Sequence, residues 1–311
     1  MPAAPRPVAL PEAVLAGMAA RGPDWAGWVD SLPGIAAGLL AEWELTVDWP
    51  PMSGFCSIVL SVRTPGGRPA ALKIAFPDDE SEHEHLALQH WGGRGTVELL
   101  RADPRRRALL LERLHHEDLN SLWDLEACEI VAGLYSRIHL PAPPRLRTLS
   151  SYVDRWRESL TNLTRDAPLP PRLVEQAIAL AGDFVADKAC DGTMIHGDLH
   201  YQNVLAADRE PWLVIDPKPM SGDPHYELAP MLWNRCDELA GNVRDGIRRR
   251  FHTLVDAADL DQERARDWVV LRMMLNATWA LEDAARLATD LSDSGKEWVT
   301  MCVTIAKAVQ D

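Results

Sequence analysis

The first part of the chain alternates apolar and polar positions in the way that β-strands do. In residues 44–49, Leu45, Val47 and Trp49 alternate with charged or polar side chains, a period typical of strands with one buried face. Further short apolar runs follow and are separated by turns. These runs are 55–63, 70–76, 96–100 and 108–114. A helix at 79–91 interrupts them, so we predict an antiparallel sheet of five strands with one helix. Two short helices, at 12–20 and 34–42, are predicted to precede the sheet.

After Leu114 the pattern changes to helical spacing. In the segment 121–139, apolar side chains recur every three or four residues, which places them on one helical face. They are Leu122, Leu125, Cys128, Val131, Leu134 and Ile138. Further helices are predicted at 151–163, 170–189, 226–240, 243–257, 261–290 and 295–309. Short strands are predicted at 193–198 and 212–216. Strands first and helices second indicate an α+β fold with two domains, 1–114 and 115–311.

The amino-acid composition and net charge of the chain limit the classes of function that it can have. Of the 311 residues, 47% are apolar and 25% are charged, as in an ordinary globular protein. The net charge of −14 argues against a nucleic-acid partner. The acidic excess is largest after residue 190, which indicates either a plain solvated surface or a pocket that attracts a cationic small molecule.

Compartment and metal content follow from the cysteines and the apolar runs. The five cysteines lie far apart without a CxxC pattern, so we expect a reduced intracellular protein without a zinc site. The N-terminus lacks the apolar core of a secretion signal. No run approaches the roughly 18 apolar residues that a membrane span needs. We therefore expect a cytoplasmic protein without a membrane partner; the sequence does not indicate an oligomeric state.

The strongest chemical signal is HGDLHYQNVL at 196–205, followed by IDP at 215–217. Asp198 and Asn203 share one loop, and Asp216 follows an apolar strand. Singly, such residues also suit turns. In this order, one carboxylate can steer an attacking hydroxyl while an amide and a second carboxylate hold Mg²⁺ on a nucleotide. The combination predicts phosphate transfer from a nucleotide.

A competing interpretation of the same segment is a metal hydrolase. His196-x-Asp198-x-His200 resembles a hydrolase metal cluster. That interpretation leaves Asn203 and Lys73 without a role, and it predicts tight zinc binding without any response to ATP.

Lys73 is a further candidate functional residue, upstream of the motif. It lies in a predicted strand, on the opposite side from its apolar neighbours. Strand lysines are usually solvated, and a buried one needs a carboxylate partner. The acidic segment after the strand supplies Glu84, which we favour, and Glu82 as the alternative. Asp79 with Glu82, or Ser81 with Glu84, would also suit a helix-capping box.

Two segments of the sheet region have weaker signals. Ser53 and Gly54 lie in a loop whose backbone N–H groups could close over phosphates, although a plain hairpin turn is equally compatible. The extended backbone from Glu112 to Leu114 could pair with the edge of an adenine. A simple connector between domains explains these residues equally well.

The motifs resemble those of the aminoglycoside phosphotransferase family, which is related to protein kinases. HGDLHYQN is similar to its HGDxxxxN motif, and IDP stands where kinases have DFG. The segment 215–235, ALLLERL and LNATWALED are similar to the subgroup of streptomycin 6-phosphotransferases and hydroxyurea phosphotransferases. The resemblance covers roughly 45–290. It implies a bilobal protein-kinase-like fold, with a small sheet lobe plus one helix and a large helical lobe. It also implies ATP with Mg²⁺ and phosphorylation of an antibiotic hydroxyl, which gives resistance.

The resemblance also implies roles for individual residues. Asp198 would be the catalytic aspartate, and Asn203 and Asp216 would bind Mg²⁺. Lys73 would hold the α- and β-phosphates with Glu84 behind it. The chain departs from protein kinases in two respects, because the phosphate loop lacks GxGxxG and the Lys–Glu spacing is short.

Four acidic residues remain as candidate substrate contacts. Asp223 and Glu227 follow the motif closely and would either support the catalytic loop or touch substrate. Glu282 and Asp283 form an acidic pair in a C-terminal helix, where they are either solvated or in contact with a guanidinium group of the acceptor.

The acceptor itself stays open in the sequence. The resemblance favours an aminoglycoside such as streptomycin, with hydroxyurea or another hydroxylated metabolite as alternatives. A nucleotide-binding regulator with little turnover is a further possibility from a different functional class.

Overall fold

The computed structural model describes residues 12–48, 52–164, 166–239, 241–286 and 289–310. The chain divides into two compact units, Met1–His115 and His116–Asp311. Strands dominate the first unit and helices dominate the second, which confirms the predicted α+β class. No helix within the described ranges is long and apolar enough to cross a membrane.

The first unit contains one antiparallel sheet. Its strands are β1 (Thr46–Val47), β2 (Met52–Ser53), β3 (Ser57–Arg63), β4 (Pro69–Ala75), β5 (Leu99–Asp103) and β6 (Ala108–Glu112). The order is β1-β3-β4-β6-β5, and β2 also pairs with β3. The predicted antiparallel sheet is therefore confirmed, with one strand more than predicted because β2 and β3 form a tight hairpin.

The predicted strand at 44–49 is wrong in extent. Only Thr46 and Val47 pair, and Val47 is 41% exposed instead of buried. The cause lies just before the strand, where Glu44 has a positive φ of 53° and Leu45 N donates to Leu40 O. Leu45 therefore closes the end of the preceding helix and does not continue a strand. Trp49 lies outside the described residues.

Helices cover the sheet of the first unit. They are α1 (Glu12–Ala19), α2 (Pro23–Glu42) and α3 (Glu84–Trp91). On α2, Leu32, Ala36 and Leu39 follow helical spacing and pack into one core with alternate residues of β3 and β4, including Leu60 and Leu72. The helix predicted at 34–42 is therefore longer than expected, since Pro33 lies inside α2 and does not end it.

The helix α3 begins later than predicted. Ser81 N donates to Asp78 Oδ1 at 2.7 Å, so the residues before Glu84 form a turn. The N-cap position is His83, whose side chain makes no capping hydrogen bond. The capping box that would use Asp79 and Glu82 is therefore wrong.

The second unit is mainly helical. Its helices are α4 (Asp124–Ile138), α5 (Leu149–Thr161), α6 (Pro171–Ala186), α7 (Ala229–Trp233), α8 (Val243–Ala258), α9 (Gln262–Arg286) and α10 (Asp293–Ala308). Most of the predicted helices are confirmed. The helix predicted at 226–240 is wrong, because the chain there forms α7 between two 3₁₀ turns and Arg235 has a positive φ of 58°. The buried guanidinium of Arg250 donates to the carbonyls of Asn234 and Arg235, which the broken helix leaves without partners.

Short strands complete the second unit. They are β7 (Leu140–Pro141), β8 (Thr193–Ile195), β9 (Val204–Ala206), β10 (Trp212–Val214) and β11 (Met220–Gly222). One small sheet has the order β11-β8-β7, and β9 pairs with β10 as a hairpin. The two predicted strands correspond to β8 and β10. The HGDLHYQN loop at 196–203 lies between these two sheets, since β8 of the first one ends directly before it and β9 of the hairpin begins directly after it.

Candidate active site

The loop 196–203 leaves β8 and is held by a buried carboxylate. His196 N donates to Glu227 Oε2 at 3.0 Å, and Gly197 N donates to Glu227 Oε1 at 2.6 Å. Glu227 lies in the 3₁₀ turn Pro224–Leu228 and is fully buried. Two charge-assisted hydrogen bonds at the start of the loop fix its backbone.

Glu227 is held in its ionised form. Burial alone would raise the pKa of Glu227, but the imidazole of His139 and the Gly197 N–H outweigh burial and bring this pKa below its ordinary value. His139 Nε2 lies 3.7 Å from Glu227 Oε2. The ionised carboxylate of Glu227 can therefore only accept hydrogen bonds, and it accepts them from the backbone N–H groups of His196 and Gly197.

The turn at Gly197 brings the loop against the segment 215–219. Gly197 has a φ of 84°, and a side chain there would clash with the carbonyl oxygen of Lys218. Lys218 N donates to His196 O at 2.8 Å. His196 Nδ1 accepts from Asp198 N, so its proton lies on Nε2 and is donated to Ile215 O at 2.9 Å. Backbone and imidazole contacts thus join the HGD and IDP motifs.

The hairpin of β9 and β10 sets Asn203 beside the end of the IDP strand. Val204 pairs with Val214, and Ile215 N donates to Asn203 O at 2.9 Å. Asp216 follows directly, is exposed, and has a φ of 55°. A non-glycine residue in this conformation is uncommon, and such residues occur often at functional sites.

Asp198 is the accessible carboxylate of the loop. Its side chain is 22% exposed, and its Oδ2 lies 2.9 Å from Lys218 Nζ. Asn203 is buried, and its Nδ2 donates to Asp198 O at 2.8 Å. The three predicted residues therefore occupy adjoining segments of one unit, with the amide of Asn203 fixed in orientation.

The donor set fits Mg²⁺. Because Nδ2 of Asn203 is engaged, Oδ1 is the end of the amide left for a cation, and Asp216 adds a carboxylate. Mg²⁺ prefers such oxygen ligands and usually binds one or two protein groups together with substrate phosphates. Zinc fits less well, since both ring nitrogens of His196 contact the backbone. Among the described residues, no cluster of three or more His, Cys, Asp or Glu could hold a metal.

In the first unit, Lys73 forms a buried ion pair. It lies on β4, paired with Val59 and Leu109 of the neighbouring strands. Its Nζ donates to both carboxylate oxygens of Glu84, at 2.7 and 2.8 Å, and the two side chains are 8% and 4% exposed. Glu82 is 41% exposed and lies beside His83. The structure thus pairs Lys73 with Glu84.

The two weaker candidate segments are ordinary strand ends. Gly54 N donates to Ser57 O at 2.9 Å, which closes the β2–β3 hairpin, and Ser53 pairs with Ile58 across it. Glu112 ends β6, and its N–H donates to Glu98 O at 3.0 Å. Leu114 follows as half-buried extended backbone. The N–H groups of Gly54 and Glu112 are therefore already engaged within the sheet.

Asp223 and Glu227 are buried and bind groups inside the protein. Asp223 is 1% exposed and accepts hydrogen bonds from His225, Arg264 and Trp268. Burial alone would raise the pKa of Asp223, but the bonds from His225 and Trp268 lower it below its ordinary value. Both carboxylates therefore serve internal donors, which fits the supporting role that the sequence left open beside substrate contact.

Glu282 and Asp283 lie on the exposed face of α9. Asp283 is 65% exposed and pairs with Arg286 at 2.8 Å on the same helix. A pair of this kind is typical of a solvated helix surface.

Two cations that contact the loop were not predicted from the sequence. Lys218 pairs with Asp198, and its signal is its place between Pro217 and Pro219 directly after IDP. Arg272 is nearly buried on α9, donates to Gly197 O at 2.9 Å, and lies 4.0 Å over the ring of Tyr226. Its signal is a lone cation in an otherwise apolar run.

Comparison with known proteins agrees with this architecture. Residues 42–284 match the family model described as aminoglycoside/hydroxyurea antibiotic resistance kinase. The chain is 38% identical over 286 residues to a streptomycin 6-kinase of Streptomyces glaucescens, covering 89% of this chain and 92% of that one. It is 40% identical over 262 residues to a hydroxyurea phosphotransferase of Kitasatospora aureofaciens, covering 82% and 75%.

Solved structures show the same fold at low identity. Choline kinase LicA from Streptococcus pneumoniae aligns with a TM-score of 0.60 at 14% identity, covering 89% of this chain and 97% of that one. A thermostable mutant of aminoglycoside phosphotransferase APH(4)-Ia, in a ternary complex with AMP-PNP and hygromycin B, aligns with a TM-score of 0.59 at 18% identity, covering 89% and 98%. The predicted kinase-like fold and the resemblance drawn from the motifs are both confirmed. The chain belongs to the aminoglycoside/hydroxyurea antibiotic resistance kinase family.

Proposed function

We propose that this protein transfers the γ-phosphate of ATP to a hydroxyl group of streptomycin or a similar aminoglycoside, with Mg²⁺ as the required cation, and so gives antibiotic resistance. The observation that carries the proposal is the bond from Ile215 N to Asn203 O, which sets the IDP strand end beside the HGD loop. The relatives named streptomycin 6-kinase support the acceptor class.

In this proposal Asp198 is the catalytic carboxylate. It orients the acceptor hydroxyl and takes up its proton as the new bond to phosphorus forms and ADP leaves. Asn203 and Asp216 would hold Mg²⁺, which when bound neutralises charge on the phosphate oxygens. The rate then depends mainly on alignment and charge, for which a loop fixed by Glu227 is suited.

The first unit supplies the phosphate contacts in this proposal. Lys73, kept charged and oriented by Glu84, would bind the α- and β-phosphates of ATP. The hairpin at Ser53 and Gly54 would cover the phosphates. The extended backbone from Glu112 to Leu114 would pair with the edge of the adenine. A net charge of −14 suits a cationic acceptor.

Hydroxyurea is the second candidate acceptor, supported by the 40% identical relative of that activity. For either acceptor we place the reaction in the cytoplasm, where ATP is available and where five free cysteines stay reduced.

An ADP-release assay tests the function. The purified chain is incubated with ATP and Mg²⁺ and with streptomycin, other aminoglycosides or hydroxyurea in turn. We expect acceptor-dependent ADP release with streptomycin, and phosphorus NMR of the product should show a phosphate ester at the 6-hydroxyl. ATP binding without acceptor-dependent release of ADP would instead support a nucleotide-binding regulator.

Calorimetry tests the proposed cation site separately. Asp216→Asn should abolish the part of ATP affinity that depends on Mg²⁺ and leave the affinity in EDTA unchanged. Asp293→Asn, which alters an exposed carboxylate on α10, is the matched control. Equal Mg²⁺ dependence in the wild type and in Asp216→Asn would contradict the assignment.

A further inference from the structure

Lys218 is the one lysine that the structure pairs with the carboxylate of Asp198 among the described residues. Its Nζ lies 2.9 Å from Asp198 Oδ2. We infer that Lys218 is a positioning residue for phosphate transfer, which orients the Asp198 carboxylate and offsets its charge beside the reacting phosphoryl group. This inference rests on the proposed function.

The backbone of Lys218 is fixed on three sides. Pro217 and Pro219 flank it and are both buried, and a residue before proline is restricted to extended conformations. Its N–H donates to His196 O at 2.8 Å. Its carbonyl oxygen lies so close to Gly197 that no side chain fits there. The backbone of Lys218 is thus already fixed, so that only side-chain entropy is lost when Lys218 pairs with Asp198.

The same contacts fix the carboxylate from its own side. Asp198 N donates to His196 Nδ1, and Asp198 O accepts from Asn203 Nδ2. With both backbone groups of Asp198 engaged, the lysine determines which carboxylate oxygen faces which partner. Oδ2 accepts from Lys218, so Oδ1 takes the role of proton acceptor.

In this inference the positive charge of Lys218 also reduces the repulsion between Asp198 and the reacting phosphoryl group. During transfer, the acceptor oxygen forms a bond to the γ-phosphorus, the bond from that phosphorus to the bridging oxygen breaks, and ADP leaves with the electron pair. The hydroxyl proton passes to Oδ1 of Asp198. An anionic carboxylate close to an anionic phosphoryl group is repelled, and a cation 2.9 Å away reduces this repulsion.

Stability does not account for the pair. The side chains of Lys218 and Asp198 are 41% and 22% exposed, and ion pairs with this much solvent access contribute little to folding. Lys296 and Asp293 form an ion pair at 3.0 Å on α10, and its side chains are 64% and 95% exposed. It provides a matched control in the same unit.

Three variants of the full chain test the inference: Lys218→Met, Lys218→Arg and Lys296→Met. With streptomycin as acceptor, we expect Lys218→Met to lower kcat about 100-fold, the loss typical of removing one preorganised charge donor. The KM of streptomycin should change less than threefold. Lys218→Arg should retain kcat within about tenfold, since it keeps the charge but changes its geometry. Lys296→Met should match the wild type.

Two further measurements separate positioning from folding. The melting temperature of Lys218→Met should lie within about 3 °C of the wild type, and calorimetry with ATP should show the same number of binding sites per chain as in the wild type. A kcat of Lys218→Met within threefold of the wild type would overturn the inference. A large fall in melting temperature or in the number of ATP sites per chain would also overturn it, since the residue would then be structural.

Failure of the proposed function gives a different pattern. A wild-type chain that phosphorylates neither streptomycin nor hydroxyurea refutes that function. The lysine is then judged on ATP hydrolysis without acceptor, where Lys218→Met should again be about 100-fold slower. A chain without either activity overturns both proposals.

Discussion

Two lysine–carboxylate pairs in this protein have nearly equal lengths and very different surroundings. Lys73 and Glu84 are 2.7 Å apart, with side chains 8% and 4% exposed. Lys218 and Asp198 are 2.9 Å apart, with side chains 41% and 22% exposed. The buried pair must stay intact, because either charge alone in the interior is costly. The solvated pair contributes little to folding, so its partners are available to a reaction.

The two pairs also differ in what fixes them. Lys73 is fixed by a strand ladder on both sides, which any sheet of this type provides. Asp198 lies in a loop without regular structure, and its position depends on individual bonds to Glu227, His196 and Asn203. Removal of Lys73 should therefore lower stability, whereas removal of Lys218 or of the Asp198 carboxylate should act mainly on turnover.

The largest effect is expected at the catalytic loop. Asp198→Asn should lower kcat by about 10³-fold, because the amide cannot accept the hydroxyl proton, while ATP affinity and melting temperature stay close to those of the wild type. Steady-state kinetics with streptomycin measure kcat, and calorimetry with ATP measures the ATP affinity. Asp293→Asn is the control. A variant with turnover near that of the wild type would refute the catalytic role of Asp198.

The buried pair should show the opposite profile. Lys73→Met removes the ammonium group that donates to both carboxylate oxygens of the buried Glu84, so the free energy of unfolding should fall by about 3–5 kcal/mol. Urea denaturation measures this value. Lys218→Met should lose less than about 1 kcal/mol in the same assay. Equal losses in the two variants would remove the distinction between the pairs.

A double variant sharpens this result. Replacing Lys73 and Glu84 together by Met and Leu should recover most of the stability lost in Lys73→Met, since no unpaired charge remains. ATP affinity should not recover with it. Recovery of ATP affinity would contradict the proposed phosphate contact.

The support beneath the catalytic loop should respond to acid. The pKa of Glu227 is below its ordinary value of 4.5 in the folded protein, so the unfolded chain binds this proton first as the pH falls. The stabilisation by Glu227 is thus complete above about pH 4.5 and is lost as the pH falls through the folded pKa. Glu227→Gln should lower the free energy of unfolding by about 1–3 kcal/mol at pH 7.

The same variant should show a weaker pH dependence than the wild type in urea titrations between pH 5 and pH 3. Glu297→Gln, an exposed change on α10, should behave as the wild type at every pH. An unchanged slope in Glu227→Gln would show that the acid sensitivity has another origin.

The smallest effect is expected on the exposed surface of α9. Asp283→Asn should change the free energy of unfolding by less than about 0.5 kcal/mol, and the KM of streptomycin should stay within twofold. The reason is that Asp283 is 65% exposed and pairs with Arg286. A tenfold rise in KM would instead place this carboxylate on the acceptor.

Long periodic segments were predictable from the sequence. The helices α4 and α9 extend over 15 and 25 residues, which is enough for helical spacing to be recognised. The strands β9 and β11 have three residues each and were missed, whereas β8 and β10, which are equally short, were predicted from the segments TMIHGD and WLVID. The break at Arg235 was missed because the group that binds the freed carbonyls, the guanidinium of Arg250, approaches from another helix.

The site was predictable where its residues are close in sequence. Spacing was sufficient to single out Asp198, Asn203 and Asp216. It did not indicate Lys218 as a partner of Asp198. It also did not reveal that Glu227 binds the loop start from 31 residues away, or that Arg272 contacts Gly197 O from 75 residues away. Contacts of this kind depend on tertiary packing, which local patterns do not encode.

The packing of α2 on the sheet of the first unit has a practical consequence for recombinant expression. The family match begins at residue 42, yet Leu32, Ala36 and Leu39 of α2 precede it and pack on the apolar face of β3 and β4. A fragment trimmed to the matched residues would leave that face bare and prone to aggregation. Expression boundaries for this enzyme should therefore include α1 and α2.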